Sequence, residues 1–193
     1  DEPALDDLLA RLAPVDLVAG EQHAERYTDL NPIAGVPTLV RDDGIALTQS
    51  LAIIDYLEDQ WPDPALVPLD ALKAARVRAA ALTIACDIHP LNNLRVLAQL
   101  RQMGQDQAAI TEWMNDWMTR GLSAFQALIR ADTPFCFGDA PGLADLCLVP
   151  QLYNAHRWGC DLAPLQRLTD IEARCLALPA FDAARPEAQP DAA

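Results

Sequence analysis

The fold is decided by residues 31–60, which read NPIAGVPTLVRDDGIALTQSLAIIDYLEDQ. Two short runs rich in aliphatic and β-branched residues, 36–40 and 45–48, lie on either side of Asp43-Gly44. An Asp-Gly turn between two such runs is among the strongest hairpin signals that a sequence carries. These residues therefore predict two short antiparallel strands.

A helix is predicted to begin directly after the second strand. Ser50 is a favoured N-cap residue, and Leu51, Ile54 and Leu57 then recur at helical spacing. Trp61-Pro62 ends the pattern because proline cannot continue a helix. Hairpin and helix together predict a small β/α unit.

The composition changes near residue 70. Upstream, residues 8–18 predict a further strand and residues 20–31 a short helix. Downstream no strand-like alternation persists, and amphipathic stretches predict helices over residues 71–85, 86–103 with a kink at Pro90, 105–130, 145–157 and 165–178.

The predicted fold class is therefore α+β. We expect a β/α domain over residues 1–64 and an all-α helical bundle over residues 70–193. The tail from Pro179 is rich in Ala and Pro, so we expect it to be loosely ordered.

The chain is strongly acidic. It carries 14 Lys and Arg against 28 Asp and Glu among 193 residues, a net charge of −14. Such a surface repels nucleic acids and anionic lipids, so neither is expected as a partner. No apolar run approaches the ~20 residues of a membrane span. An anionic small ligand would need a local cluster of Arg, although coding bias explains the excess of Arg over Lys equally well.

The cysteines give information about the cellular compartment and do not indicate a metal or disulfide site. There are five, an odd number with irregular spacing: Cys86, Cys136, Cys147, Cys160 and Cys175. They fit neither a disulfide framework nor a zinc site, and no metal site is expected. Unpaired thiols favour a reducing, cytoplasmic location.

The first candidate site combines Val36-Pro37 with Gln49-Ser50. A proline at a strand start cannot donate to a ladder, so the Val36 backbone groups stay free to pair with a peptide-like ligand. The first amides of the helix at Ser50 lack intrahelical partners and, with the helix dipole, attract a carboxylate. A strand-edge proline and an ordinary capping serine explain the same residues without any ligand, and the residues alone leave both interpretations open.

The second candidate site is residues 86–95, which read CDIHPLNNLR. His89, Asn93 and Arg95 interrupt an otherwise apolar helix, and the spacing of His89 and Asn93 places them on one helix face. Buried polar groups need partners, so this cluster should line a cavity or a polar interface. Arginine there would suit a carboxylate, and a structural hydrogen-bond network between helices is the alternative.

Two signals are weaker. Arg157 lies near a predicted helix end, where arginine usually faces solvent, and His156 is expected to be satisfied locally. Gly142 and Asp145 occupy the ends of a capping box, which we interpret as structural.

Taken in order, residues 31–39, 47–58, 86–95 and 143–151 resemble the zeta class of glutathione transferases, which includes maleylacetoacetate and maleylpyruvate isomerases. The resemblance extends roughly from Pro14 to Asp191. It implies a thioredoxin-like N-terminal domain that binds glutathione, an all-α C-terminal domain that binds substrate, and a homodimer.

For individual residues, the resemblance implies a cis Val36–Pro37 peptide bond and pairing of the Val36 backbone with the cysteinyl part of glutathione. Gln49 and Ser50 would hold the γ-glutamyl carboxylate, and Gln22 would contact the glycyl end. The inter-domain wall touching glutathione and substrate would include His89, Asn93, Leu94 and Arg95, and Arg157 would face a substrate carboxylate.

The implied reaction is the glutathione-dependent cis–trans isomerisation of a maleyl dicarboxylate from aromatic degradation. Two alternatives stay open: a zeta-type transferase acting on other small substrates such as α-halo acids, and a non-catalytic binding protein with the same fold.

The sequence departs from the family in one respect. The family's thiol-activating motif is rich in Ser, Cys and Arg and lies between the first strand and the first helix. Residues 1–7 contain none of these, and residues 8–18 match the second strand, so the resemblance places the catalytic motif upstream of Asp1. Either the sequence omits a segment or the protein has lost it; we expect omission, because losing a central strand would expose sheet edges.

Overall fold

The computed structural model describes residues 12–189. The chain divides between Pro64 and Ala65 into two compact units. We describe the N-terminal unit and the C-terminal unit separately.

The N-terminal unit contains the predicted hairpin. Its elements are a 3-10 turn (Glu21–His23), α1 (Glu25–Thr28), β1 (Thr38–Val40), β2 (Ala46–Thr48) and α2 (Ser50–Gln60). The strands are antiparallel, with Thr38 opposite Thr48 and Val40 opposite Ala46. The hairpin and the helix that follows it are thus confirmed.

The predicted strand over residues 8–18 is wrong for its described part, whereas residues 8–11 lie outside the described residues. Residues 12–16 are irregular, and a turn follows them. The Asp16 carboxylate accepts the backbone N–H groups of Val18 and Ala19, each at 2.9 Å. Such local bonding lets aspartate compete with a strand ladder and favours the turn.

The C-terminal unit is helical throughout its regular part. Its elements are α3 (Ala71–Leu82), a π-helical turn (Thr83–Ile88), a 3-10 turn (His89–Asn92), α4 (Leu94–Gln102), α5 (Gln107–Leu128), α6 (Leu143–Arg157), a second 3-10 turn (Ala163–Leu165), α7 (Gln166–Leu176), α8 (Pro179–Ala183) and a third 3-10 turn (Pro186–Ala188). None of the helices within residues 12–189 is long and apolar enough to cross a membrane.

Helix α5 forms the centre of this unit. One face buries Ile110, Met114, Met118, Leu122 and Phe125, each at most 1% exposed. Gly121 lies beside this row, and a Cβ there would overlap the side chain of the fully buried Ile88. The missing side chain therefore lets the π-helical turn pack directly against α5.

The start of α6 is held by the predicted capping box. The Asp145 carboxylate, 1% exposed, accepts the backbone N–H of Gly142 at 2.9 Å and that of Cys136 at 3.0 Å. The structural interpretation of Gly142 and Asp145 is consistent with this bonding. Asp145 thereby ties the preceding loop to the first turn of the helix.

The described part of the tail, residues 179–189, is more ordered than predicted. It contains α8 and a 3-10 turn, and Glu187 accepts a hydrogen bond from the Tyr153 hydroxyl at 2.7 Å. The sequence interpretation was wrong here because proline is tolerated in the first turn of a helix, where its missing N–H costs nothing.

Candidate functional site

The candidate site in the N-terminal unit lies at one end of the hairpin. Because Thr38 pairs with Thr48, the residues before β1 and those after β2 meet at the same end of the sheet. Val36-Pro37 and Gln49-Ser50 occupy those two positions. The strand register therefore places these two segments next to each other, which their spacing in the sequence alone does not establish.

Val36 presents its backbone outside the ladder. The Val36–Pro37 peptide bond is cis, as the resemblance implied. Val36 is 49% exposed, and neither its N–H nor its C=O has a hydrogen-bond partner within residues 12–189. A peptide ligand could pair with both groups in the manner of an added strand.

Helix α2 offers donors beside this edge. The first helical N–H with an acceptor in the described chain is that of Ile53, which donates to the Gln49 carbonyl at 3.0 Å. The amides of Ser50, Leu51 and Ala52 remain available at the helix N-terminus, where the dipole favours an anion.

The prediction that Ser50 is the N-cap is wrong. Ser50 is the first helical residue, and Gln49 holds the cap position with φ 72° and ψ 116°. A non-glycine residue in that region costs of order 1–3 kcal/mol and often marks a functional site. Both side chains are exposed, so they can reach a ligand at the free amides.

Gln22 lies in the 3-10 turn Glu21–His23. Its Nε2 donates to the Leu17 carbonyl over a long 3.5 Å, whereas its Oε1 is buried without a partner in the described residues. A buried amide oxygen without a donor is costly, so a ligand N–H or a water could complete it.

A cluster that the sequence analysis did not single out supports the loop before β1. The Tyr27 hydroxyl donates to the Gly35 carbonyl at 2.6 Å and lies 3.0 Å from the Thr38 hydroxyl oxygen. Asn31, 3% exposed, donates from Nδ2 to the same two oxygens. A buried Asn ahead of a proline-rich loop was the available signal, since buried amides must find partners.

In the C-terminal unit, His89 and Asn93 do not share a helix face, so that prediction is wrong. Pro90 lies in the 3-10 turn His89–Asn92, and Asn93 leaves the helical region with ψ 145° to cap α4. Proline removes a helical N–H, and asparagine favours cap positions, so the helix breaks between the two residues.

The break exposes the predicted site residues. The Asn93 Oδ1 accepts the Arg95 backbone N–H at 3.1 Å, while Leu94 is 53% exposed and Arg95 is exposed. The Arg95 guanidinium has no acceptor within the described residues. The turn itself is fixed by the indole N–H of Trp113, which donates to the Leu91 carbonyl at 3.0 Å.

His89 is the ionisable group of this turn. Partial desolvation of the imidazole lowers its pKa below the ordinary value of 6.5, even though the residue as a whole is exposed. The neutral ring is therefore the dominant form near pH 7, able to donate one hydrogen bond and accept another.

Arg157 is the last residue of α6 and is exposed. A cation at this end of a helix is favoured by the dipole, whether or not it binds a ligand. His156 is paired, but with a different helix: its Nε2 lies 2.9 Å from the carboxylate of Glu172 on α7. Within residues 12–189 no hydrogen bond or ion pair joins Arg157 to the His89–Asn92 turn.

Comparison with known proteins identifies this arrangement. Residues 6–60 match the family model for the glutathione S-transferase N-terminal domain. The chain is 46% identical over 190 residues to the maleylacetoacetate isomerase of Pseudomonas aeruginosa, covering 97% of this chain and 89% of that protein.

Two solved structures agree. The holo structure of a maleyl pyruvate isomerase, a bacterial glutathione S-transferase in the zeta class, superposes with a TM-score of 0.89 at 44% identity, covering 93% of this chain and 86% of the other. The maleylacetoacetate isomerase of Anaeromyxobacter dehalogenans, solved with dicarboxyethyl glutathione and citrate in its active site, gives 0.83 at 40% identity, covering 96% and 88%.

These matches confirm the predicted fold class, a thioredoxin-like N-terminal domain followed by an all-α bundle. Identity above 40% over nearly the whole chain places it within one group of relatives. The chain belongs to the maleylacetoacetate and maleylpyruvate isomerase family of zeta-class glutathione transferases.

Proposed function

We propose that this protein is a glutathione-dependent isomerase that converts a maleyl dicarboxylate, maleylacetoacetate or maleylpyruvate, into its trans isomer during aromatic degradation. The observation that carries the proposal is the end of the hairpin, where free backbone groups of Val36 lie beside the open N-terminus of α2. That pair of features suits a tripeptide with a terminal carboxylate.

The described residues fit glutathione. Val36 would pair with the cysteinyl backbone, and the α2 amides with Gln49 and Ser50 would receive the γ-glutamyl carboxylate. The unpaired Gln22 Oε1 would accept an N–H from the glycyl end. When bound, glutathione supplies a thiolate that adds to the conjugated double bond, allows rotation and leaves again.

The residues of the C-terminal unit would bind the two carboxylates and the reacting chain. Arg95 and Arg157 carry guanidinium groups suited to carboxylates, and both are exposed. Neutral His89 and the Asn93 amide would contact glutathione and substrate by hydrogen bonds, with exposed Leu94 beside them. The chain has a net charge of −14, so a dianion is repelled by most of its surface, and these two arginines would supply the positive charge that attracts it.

A dicarboxylate is preferred over a halogenated monoacid because of the relative from Anaeromyxobacter dehalogenans. Its active site holds dicarboxyethyl glutathione and citrate, both polycarboxylates. The same arginines could still serve an α-halo acid through a single carboxylate, so substrate comparison decides between the two.

The test is to mix the full-length protein with glutathione and each maleyl substrate and to follow the trans product. Conversion that needs glutathione is expected, with slower turnover of chloroacetate. Arg157→Met should reduce kcat/KM for the diacid by roughly 30-fold or more, the usual consequence of losing a charged hydrogen bond. Arg120→Met is the matched control, because Arg120 is exposed on α5 and pairs with Asp116. Absence of any conversion would contradict the proposal.

We also propose a homodimer formed through α3. An apolar stripe on its exposed face consists of Leu72, Ala75, Ala79 and Leu82, at the spacing of a coiled-coil seam, and Cys86 continues it in the π-helical turn that follows. Leu72 is 65% exposed and Leu82 is 45% exposed. A second copy would bury this stripe and so remove apolar surface from water.

Size-exclusion chromatography with light scattering tests the dimer by comparing Leu72→Glu with the wild type. The variant should have the mass of a monomer, whereas Leu128→Glu on α5, where Leu128 is 49% exposed, should keep the mass of the wild-type dimer. We further propose a cytoplasmic location, supported by five free cysteines that need a reducing compartment.

A further inference from the structure

We propose that Tyr27 and Asn31 are positioning residues that aim the Val36 backbone at glutathione. The inference rests on the proposed function and concerns residues that would not themselves touch the ligand. Its basis is that two separate donors converge on one carbonyl, that of the residue before Val36.

The Gly35 carbonyl is held twice. The Tyr27 hydroxyl and the Asn31 Nδ2 each donate to it at 2.6 Å, from α1 and from the following loop. Asn31 is itself fixed, because its Oδ1 accepts the Ile33 N–H at 3.1 Å and its side chain is 3% exposed.

Holding this carbonyl fixes the Val36 N–H. The Gly35–Val36 peptide is trans and planar, so its C=O and N–H point in opposite directions. With the carbonyl turned toward Tyr27 and Asn31, the Val36 N–H must point away from them. Val36 is half-exposed, and its N–H has no protein partner in the described chain.

Without the two hydrogen bonds, little would prevent this peptide from rotating. Gly35 lacks a Cβ, and one placed there would meet only the Ile33 Cγ2, at 3.9 Å. Glycine also samples more of backbone space than any other residue. The orientation of the Val36 N–H is therefore set by hydrogen bonding and not by steric packing at Gly35.

Thr38 closes the cluster on the other side. Its hydroxyl oxygen lies 3.0 Å from the Tyr27 hydroxyl and 3.1 Å from the Asn31 Nδ2. Since Thr38 is the first residue of β1, the same two side chains hold both flanks of the Val36-Pro37 segment.

The test compares two ligands by calorimetry in the full-length protein: S-methylglutathione, and its analogue with an E-alkene in place of the cysteinyl–glycine amide. The analogue lacks the carbonyl that the Val36 N–H would meet. Tyr27→Phe should weaken S-methylglutathione binding by about tenfold. It should leave analogue binding within about twofold, because the lost contact does not exist there.

A merely structural role for Tyr27 would weaken both ligands equally, and that result would overturn the inference. Asn31→Asp removes the other donor to the Gly35 carbonyl while keeping an Oδ1 for the Ile33 N–H, and it should reproduce the selective loss if Tyr27→Phe folds poorly. Thr28→Val is the matched control, because the Thr28 hydroxyl on α1 bonds only to backbone carbonyls of its own helix region. Unchanged affinity in both cluster variants with a binding wild type would refute this inference alone, whereas a wild type that does not bind S-methylglutathione would refute the proposed function as well.

Discussion

The two units hold their candidate site groups in different ways. Among the described residues of the N-terminal unit, Ile53 is the buried apolar side chain and Asn31 the buried polar one, whereas the C-terminal unit buries apolar side chains along α3, α5, α6 and α7. In the N-terminal unit the candidate site residues are therefore held in position by hydrogen bonds. In the C-terminal unit they lie on an exposed turn that is held in position by close packing of the helices. Substitutions should accordingly separate into those that change ligand affinity and those that change stability.

The largest loss of stability is expected from Asp145→Ala. The substitution leaves the N–H groups of Cys136 and Gly142 without their acceptor, and each unpaired buried donor costs about 1–3 kcal/mol. We expect the free energy of unfolding to fall by about 3 kcal/mol in denaturant titration. Asp139→Ala, at an exposed position in the same loop, should change it by less than about 0.5 kcal/mol. Similar values for both variants would mean that the capping box does not stabilise the unit.

A smaller loss is expected from Gly121→Ala. The new Cβ would overlap Ile88, and forcing volume into a packed core costs about 1–3 kcal/mol. The measurement is again the free energy of unfolding, with Gly138→Ala as control because a Cβ there meets nothing within 4 Å. The double variant Gly121→Ala/Ile88→Ala should be less unstable than the sum of the single variants, since Ile88→Ala removes the Cγ1 and Cδ1 atoms that the new Cβ would overlap. Strict additivity would show that the overlap is relieved elsewhere.

In the N-terminal unit the expected effect moves from stability to affinity. Ser50→Ala removes an exposed hydroxyl that forms no hydrogen bond within residues 12–189, so the free energy of unfolding should change by less than about 0.5 kcal/mol. Glutathione should bind about five- to tenfold more weakly by calorimetry, because a hydrogen bond to a carboxylate is lost. Ser123→Ala on α5 should alter neither quantity, as its hydroxyl bonds only to the Thr119 carbonyl. A stability loss without an affinity loss would contradict the contrast between the units.

The same contrast explains what sequence reasoning could reach. The hairpin and the helical bundle were predictable because Asp43-Gly44 and the spacing of apolar residues are local signals. The α+β class followed from these patterns, and the thioredoxin-like N-terminal domain from a family resemblance that the comparisons confirm. Both depend on patterns within a few neighbouring residues.

What escaped prediction depends on partners distant in sequence or on competition between local preferences. The cluster of Tyr27, Asn31 and Thr38 forms only once the loop closes, so no spacing rule marks it. The break between His89 and Asn93 reflects a proline and a capping asparagine overriding the helical pattern around them. Gly121 is significant only because Ile88 lies against it.

The smallest expected effect is a change in how stability depends on pH in His89→Gln. Desolvation lowers the pKa of His89 in the folded state below 6.5, so on acidification the unfolded chain takes up the proton first. Folding then becomes less favourable as the pH falls below about 6.5, and the loss is complete once the pH is below the lowered folded-state pKa. The glutamine variant cannot take up this proton. Lowering the pH from about 7.5 to about 5.5, a range set by that pKa, should therefore reduce the unfolding free energy of the wild type more than that of the variant. Thermal unfolding at matched ionic strength measures this difference. A shift in the opposite direction would mean that the imidazolium gains a partner in the fold, and the turn would then present a cation instead of a neutral ring.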